Sequence, residues 1–111
     1  MNTKKLREVL RRLRRDVPTD APLKVVRRES PYEIGDEMGY CIKVPSGYRI
    51  VINSTLCEGL QIEMLLHEYA HALAWTAQEE VGRREQHDSI WGSAYARTFR
   101  AFYKWDKDRT P

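Results

Sequence analysis

The stretch "LLHEYAHALAW", residues 65–75, carries two of the chain's three histidines four positions apart, with a glutamate directly after the first. Together with residues upstream, its apolar positions keep helical spacing: Leu60, Ile62, Leu65, Leu66, Tyr69, Ala70, Leu73 and Ala74. A helix is therefore predicted from a capping box at Thr55 and Glu58 to about Gln78. Residues four apart on a helix are separated by about 40° of rotation and about 6 Å of rise, so His67 and His71 project from one face, one turn apart. Both imidazoles can then reach one ion at about 2.0–2.1 Å. Glu68 lies about 100° round from His67, too far to be a natural third ligand but well placed to take a proton from a water that a metal activates. His-Glu-x-x-His is the pattern of zinc peptidases; the competing reading of such histidines is hydrogen-bonded core residues.

A catalytic zinc takes three protein ligands and keeps one position open, so a third donor must return to the same place. The one remaining histidine, His87, follows sixteen residues after His71. A helix continuing about two turns past His71 moves roughly 10–13 Å away, and residues 81–86 can span about 20 Å, enough to bring the next helix back antiparallel. His87 then sits on the first turn of a final helix. That helix carries Ile90, Trp91, Ala94, Tyr95, Thr98, Phe99, Phe102 and Tyr103 on its inner side and ends around Trp105, leaving residues 106–111 as a frayed tail. Glu85 is the rival third ligand, and Glu79 and Glu80 are weaker ones. A histidine on the stripe of Trp91 and Tyr95 points inward better than a glutamate in an Arg-rich loop. The site expected is one Zn2+ ion held by His67, His71 and His87, with Glu68 as the catalytic residue. Glu63, one turn before His67, and Asp88 are candidates to orient a ligand ring, with an exposed charge and a first-turn acid as their respective alternatives. Trp75 and Trp91 read as core before they read as walls of the metal site, and Tyr95 reads as core.

Upstream of the motif, Leu23 to Arg28 reads as a short strand, and SPYEIGDE (residues 30–37) as a loop. Gly39 to Val44 and Tyr48 to Asn53 are β-rich runs joined by a Pro-Ser-Gly turn, a predicted hairpin with Tyr40, Ile42 and Val44 on one face and Tyr48, Ile50 and Ile52 on another. Residues 1–17 form an amphipathic helix with Thr3 as its N-cap, Leu6, Val9, Leu10, Leu13 and Val17 on its apolar face, and Pro18 ending it. The expected fold class is thus α+β: a small, mainly antiparallel three-stranded sheet packed with three helices in a single domain spanning residues 1–111.

Charge is uneven along the chain. Residues 1–15 hold seven Lys or Arg against one Glu, while the rest holds 12 basic against 15 acidic side chains. The first helix reads foremost as a packing helix with a solvated face. Its alternative is a DNA contact through Lys4, Lys5, Arg7, Arg11, Arg12, Arg14 and Arg15, although no aromatic residue is interleaved to stack on bases. Composition is that of a soluble globular protein, 41% hydrophobic and 32% charged. It offers no membrane-spanning run and no apolar signal core, so no membrane partner and a cytoplasmic location are expected. Cys41 and Cys57 are too few and too far apart for a disulfide scaffold or a zinc knuckle, and both are expected reduced and partly buried.

HEYAH at 67–71 followed by HDSIW at 87–91 resembles the SprT-like zinc metalloproteases, the group of Spartan and of the small single-domain minigluzincins. His67, Glu68, His71, His87 and Trp91 fall on that family's pattern, with Asp88 in its Gly/Asp slot, and the resemblance runs from about Lys4 to Tyr103. It implies a zincin-like core and hydrolysis of peptide bonds in a protein or peptide substrate; the alternative reading of the same residues is a non-catalytic zinc-stabilised domain or a nucleic-acid-binding module that uses the basic first helix. The resemblance also implies action on DNA-associated proteins, for which the basic first helix would be the DNA contact, since the zinc-ribbon cysteines of larger members have no counterpart here. Zinc peptidases of this kind pair substrate backbone with the sheet edge beside the cleft, and residues 48–53 are the expected docking strand, with a paired interior strand as the equally open alternative.

Overall fold

The computed structural model describes residues 4–29, 38–82 and 87–108. Its elements follow in the order α1 (Lys4–Asp16), β1 (Leu23–Arg28), β2 (Gly39–Val44), β3 (Gly47–Asn53), α2 (Glu58–Glu80) and α3 (Ser89–Asp108). Three helices and one three-stranded sheet make the fold α+β, as expected. Thr3 and the segment 30–37 lie outside the described residues.

The run Ile50, Val51, Ile52 decides the sheet. All three side chains are fully buried, so the strand is covered on both faces, and such a strand belongs in the interior of a sheet. β3 accordingly lies between β1 and β2. β2 pairs with it antiparallel, Cys41 opposite Ile50, through the expected hairpin. β1 pairs with it in parallel, Leu23 opposite Tyr48 and Val25 opposite Ile50. The sheet is therefore mixed rather than mainly antiparallel, because the strands adjacent in sequence, β1 and β2, are kept apart by the more apolar β3. Two readings of the hairpin are decided with it. β3 has both edges taken and cannot receive a substrate strand. On β2, Tyr40 and Ile42 share a face, as expected, and lie with Val51 and Arg49, while Cys41 faces the core beside Ile50.

Gly47 is required where the hairpin meets the chain entering β1. Its φ is +144°, and a Cβ there would stand 2.0 Å from the Pro22 carbonyl oxygen, the same oxygen that accepts from the Tyr48 amide at 2.8 Å. Nearby, the Tyr48 and Thr76 hydroxyls both donate to Asp20 at 2.6 Å, tying β3 and α2 to the turn after α1. These two bonds, Thr76 first, hold the Asp20 carboxyl below its usual range.

α2 is buried nearly all round, with Ile62, Leu65, Leu66, Tyr69, Ala70, Ala72, Ala74 and Trp75 all covered. A helix of this kind sits at the centre of a fold; β2 and β3 pack on it along with α1 and α3. α1 turns Leu6, Val9 and Leu13 inward, and the buried Tyr69 hydroxyl donates to the Val17 carbonyl at 2.7 Å, fixing the end of α1 on α2.

The start of α2 departs from the expected capping box. Its N-cap is Cys57, which makes no side-chain cap bond and is exposed rather than partly buried. Thr55 instead bonds to Asn53 Oδ1 through both its amide (2.9 Å) and its hydroxyl (2.6 Å). Buried Gln61 holds the turn from the helix side, donating to the Leu56 carbonyl at 2.7 Å and accepting from Arg27 Nε at 2.8 Å. Both later helices outlast their predicted ends: α2 continues to Glu80, and α3 to Asp108, through the first half of the expected tail. No described helix is long and apolar enough to cross a membrane.

Candidate metal centre

The antiparallel return of α3 onto α2 brings the three histidines together. His71 Nε2 lies 3.1 Å from His87 Nε2, and His87 Nε2 lies 3.2 Å from His67 Nε2. One ring nitrogen of each falls within 4.8 Å of both others. A tetrahedral ion with bonds of about 2.0–2.1 Å separates its ligand nitrogens by about 3.3–3.4 Å, so two edges already have nearly the spacing a zinc ion needs. The residues present fit the metal. They are also the one His/Cys/Asp/Glu cluster of metal-binding spacing among the described residues.

His71 is buried, His67 half-buried and His87 exposed, so the cluster opens to solvent on the His87 side. Burial first, and the neighbouring rings second, push His71 down to about 4 and hold His67 below the usual imidazole range. Both therefore stay in the neutral form that ligates a cation. His71 Nδ1 is buried without a hydrogen-bond partner among the described residues, so its orientation rests on packing.

That packing comes from Trp91. Its indole centroid lies 5.0, 5.6 and 4.6 Å from the rings of His67, His71 and His87. Trp91 is thus a wall of the site rather than plain core. Trp75, by contrast, is core: it packs against Tyr48 with ring centroids 5.9 Å apart and donates to Glu79 at 3.1 Å.

His87 precedes α3 rather than sitting in its first turn, because Asp88 is the cap. Asp88 Oδ1 accepts from the Trp91 amide at 3.1 Å, and the Asp88 carbonyl accepts from the Gly92 amide at 2.8 Å. The same Oδ1 accepts from Gln78 Nε2 at 2.9 Å. Gln78, fully buried two turns beyond His71, therefore holds the His87 segment against α2. Helical periodicity marks Gln78 only as a helix end. Its signal was a polar residue on the apolar stripe of Ala74 and Trp75.

Glu68 is buried on α2 between the two motif histidines. Glu63 is exposed and makes no hydrogen bond with a described residue. Of the rival ligands, Glu79 is engaged by Trp75 and Glu80 is exposed outside the cluster, while Glu85 lies outside the described residues.

A His-Glu-x-x-His helix at the centre of a small α+β domain, with a third imidazole returned by the next helix, defines a class of candidate metal-binding domains. The family model described as the SprT-like family matches residues 6–109, and the chain belongs to that family. Neither a curated protein nor a solved structure gives a significant match.

Proposed function

We propose that this chain is a zinc-dependent peptidase that hydrolyses peptide bonds, built on a zincin-like core. The observation that carries the reading is the convergence of three Nε2 atoms with edges of 3.1 and 3.2 Å; membership of the SprT-like family supports it. A zinc ion held by His67, His71 and His87 supplies Lewis-acid polarisation of the scissile carbonyl and lowers the pKa of water to near 7. The protein's part is to hold three neutral rings in place and to move a proton. Glu68 takes the proton of the attacking water and then delivers it to the leaving amine. Burial of Glu68 keeps that transfer out of bulk solvent. The test is elemental analysis and peptide cleavage side by side. One zinc per chain is expected, lost in each His→Ala variant. Glu68→Gln should keep the metal and lose about 10²–10⁴-fold in cleavage rate. A metal-free wild type, or undiminished cleavage by Glu68→Gln, refutes the proposal.

A second reading, action on DNA-associated proteins, draws on the basic first helix. Arg7 and Arg11 of α1 are exposed. A cleft of about 340 Å³ between α1 and α3 adds Arg100 and Lys104 to Arg12 and Arg15, with Asp16 among them. Part of the expected cationic set is engaged within the fold: Arg14 donates to the Leu23 carbonyl, Lys5 pairs with Asp106 at 3.6 Å, and Arg15 pairs with Asp16 at 3.0 Å. DNA affinity that falls steeply with salt, and falls further in Arg7→Ala/Arg11→Ala, supports a DNA partner. Salt-independent or absent binding removes it.

A further inference from the structure

Trp91 is the first of four rings that stand one above the next along α3. Trp91 to Tyr95, Tyr95 to Phe99 and Phe99 to Tyr103 are separated by 5.0, 6.3 and 6.2 Å between centroids, with planes inclined by only 21°, 26° and 14°. One end of this ridge touches all three imidazoles of the metal centre. The other end is in solvent, where Phe99 is 45% and Tyr103 57% exposed. Single exposed apolar side chains are ordinary, but here Phe99 and Tyr103 carry out into solvent a row whose inner rings, Trp91 and Tyr95, are half-buried against the core beside the histidine cluster.

We propose that the ridge Trp91–Tyr95–Phe99–Tyr103 is a substrate subsite that receives bulky apolar side chains of an extended polypeptide whose scissile bond lies at the histidine cluster. The proposal rests on the peptidase reading and adds a substrate class to it. Continuity with the metal centre and two features of the ridge, its length and the spacing of its rings, select this occupant. The helix advances about 18 Å from Trp91 to Tyr103, the length of about five residues of extended chain. Side chains on one face of such a chain recur every 6.6 Å or so, close to the 5.0–6.3 Å steps between rings, so alternate residues meet successive rings.

Two decapeptides test it, identical except that alternate positions on one side of the cleavage point are Leu and Phe in one and Ser in the other. The zinc-loaded full chain is expected to favour the apolar peptide by at least about tenfold in kcat/KM, chiefly through KM. Phe99→Ser/Tyr103→Ser, with its zinc content and Tm checked, is expected to lose most of that preference. If the double variant fails to fold, Tyr103→Ser alone, at the most exposed ring, is expected to lose part of it. No preference in the wild type, or the same preference in the variant that folds, overturns the proposal. A wild-type dimer that dissociates in the variant while the preference persists also overturns it and gives the face to a second copy of the chain. If the zinc-loaded wild type cleaves neither peptide, hydrolysis fails as a reading and the ridge is judged by binding. A tenfold preference in Kd by fluorescence polarisation, lost in the variant, upholds it, and equal Kd values overturn it.

Discussion

His71 illustrates how a side chain's position sets its chemistry. Its folded pKa near 4 lies below the 6.5 of a free imidazole, so between those values the unfolded chain binds a proton that the folded chain refuses. Stability then rises with pH across this window: His71 costs nothing above about pH 6.5 and destabilises progressively as pH falls toward 4. Metal-free protein should show a lower urea midpoint at pH 4.5 than at pH 7, and His71→Asn should flatten the difference. Bound metal should persist somewhat below pH 6.5 before protons displace it, because His67 is shifted in the same direction. An isothermal metal titration showing release already complete at pH 6.5 would contradict this. At this scale the sequence was most legible. Two histidines four apart must share a helix face, and the loop length allowed the third to return. What it hid was the environment: a spacing of residue types does not say which ring is buried or that one indole covers all three.

The α2–α3 corner is where element geometry turns into ligand geometry. Gln78 grips Asp88, and Asp88 both caps α3 and follows the third histidine. Gln78→Leu should leave both helices formed but loosen His87, weakening zinc affinity by about 10–100-fold in a competition assay with a chromogenic chelator. An unchanged affinity would mean that Trp91 packing alone positions the ring. Helix existence was readable from periodicity, but helix faces were readable only over short distances. Each i to i+4 step turns about 40°, so the series Trp91, Tyr95, Phe99, Tyr103 drifts about 120° and leaves the core, although every step looks like a continued stripe. The capping box at Thr55 failed for a related reason. The hydroxyl had a nearer acceptor in Asn53, and local side-chain bonds compete with helix caps.

Across the whole molecule, the sheet sets the frame on which α2 rests. Strand pairing was the least legible level because it depends on which strand is covered on both faces, a property of packing rather than of any one segment. The IVI run at 50–52 was its sequence trace. The frame has a sensitive point at Gly47, where any Cβ meets the Pro22 carbonyl. Gly47→Ala should cost about 3 kcal/mol in chemical denaturation, far more than a glycine replacement in open space such as Gly59→Ala.

All three histidines lie within twenty-one consecutive residues, and none lies in the sheet or in α1. An ion there would act as a clasp across one corner rather than as a keystone of the fold. Stripping it with a chelator should speed amide hydrogen exchange around residues 87–95 while the amides of β3 stay protected. The domain would then open and reload as a small cooperative unit, so metal uptake would not have to wait for the protein to unfold.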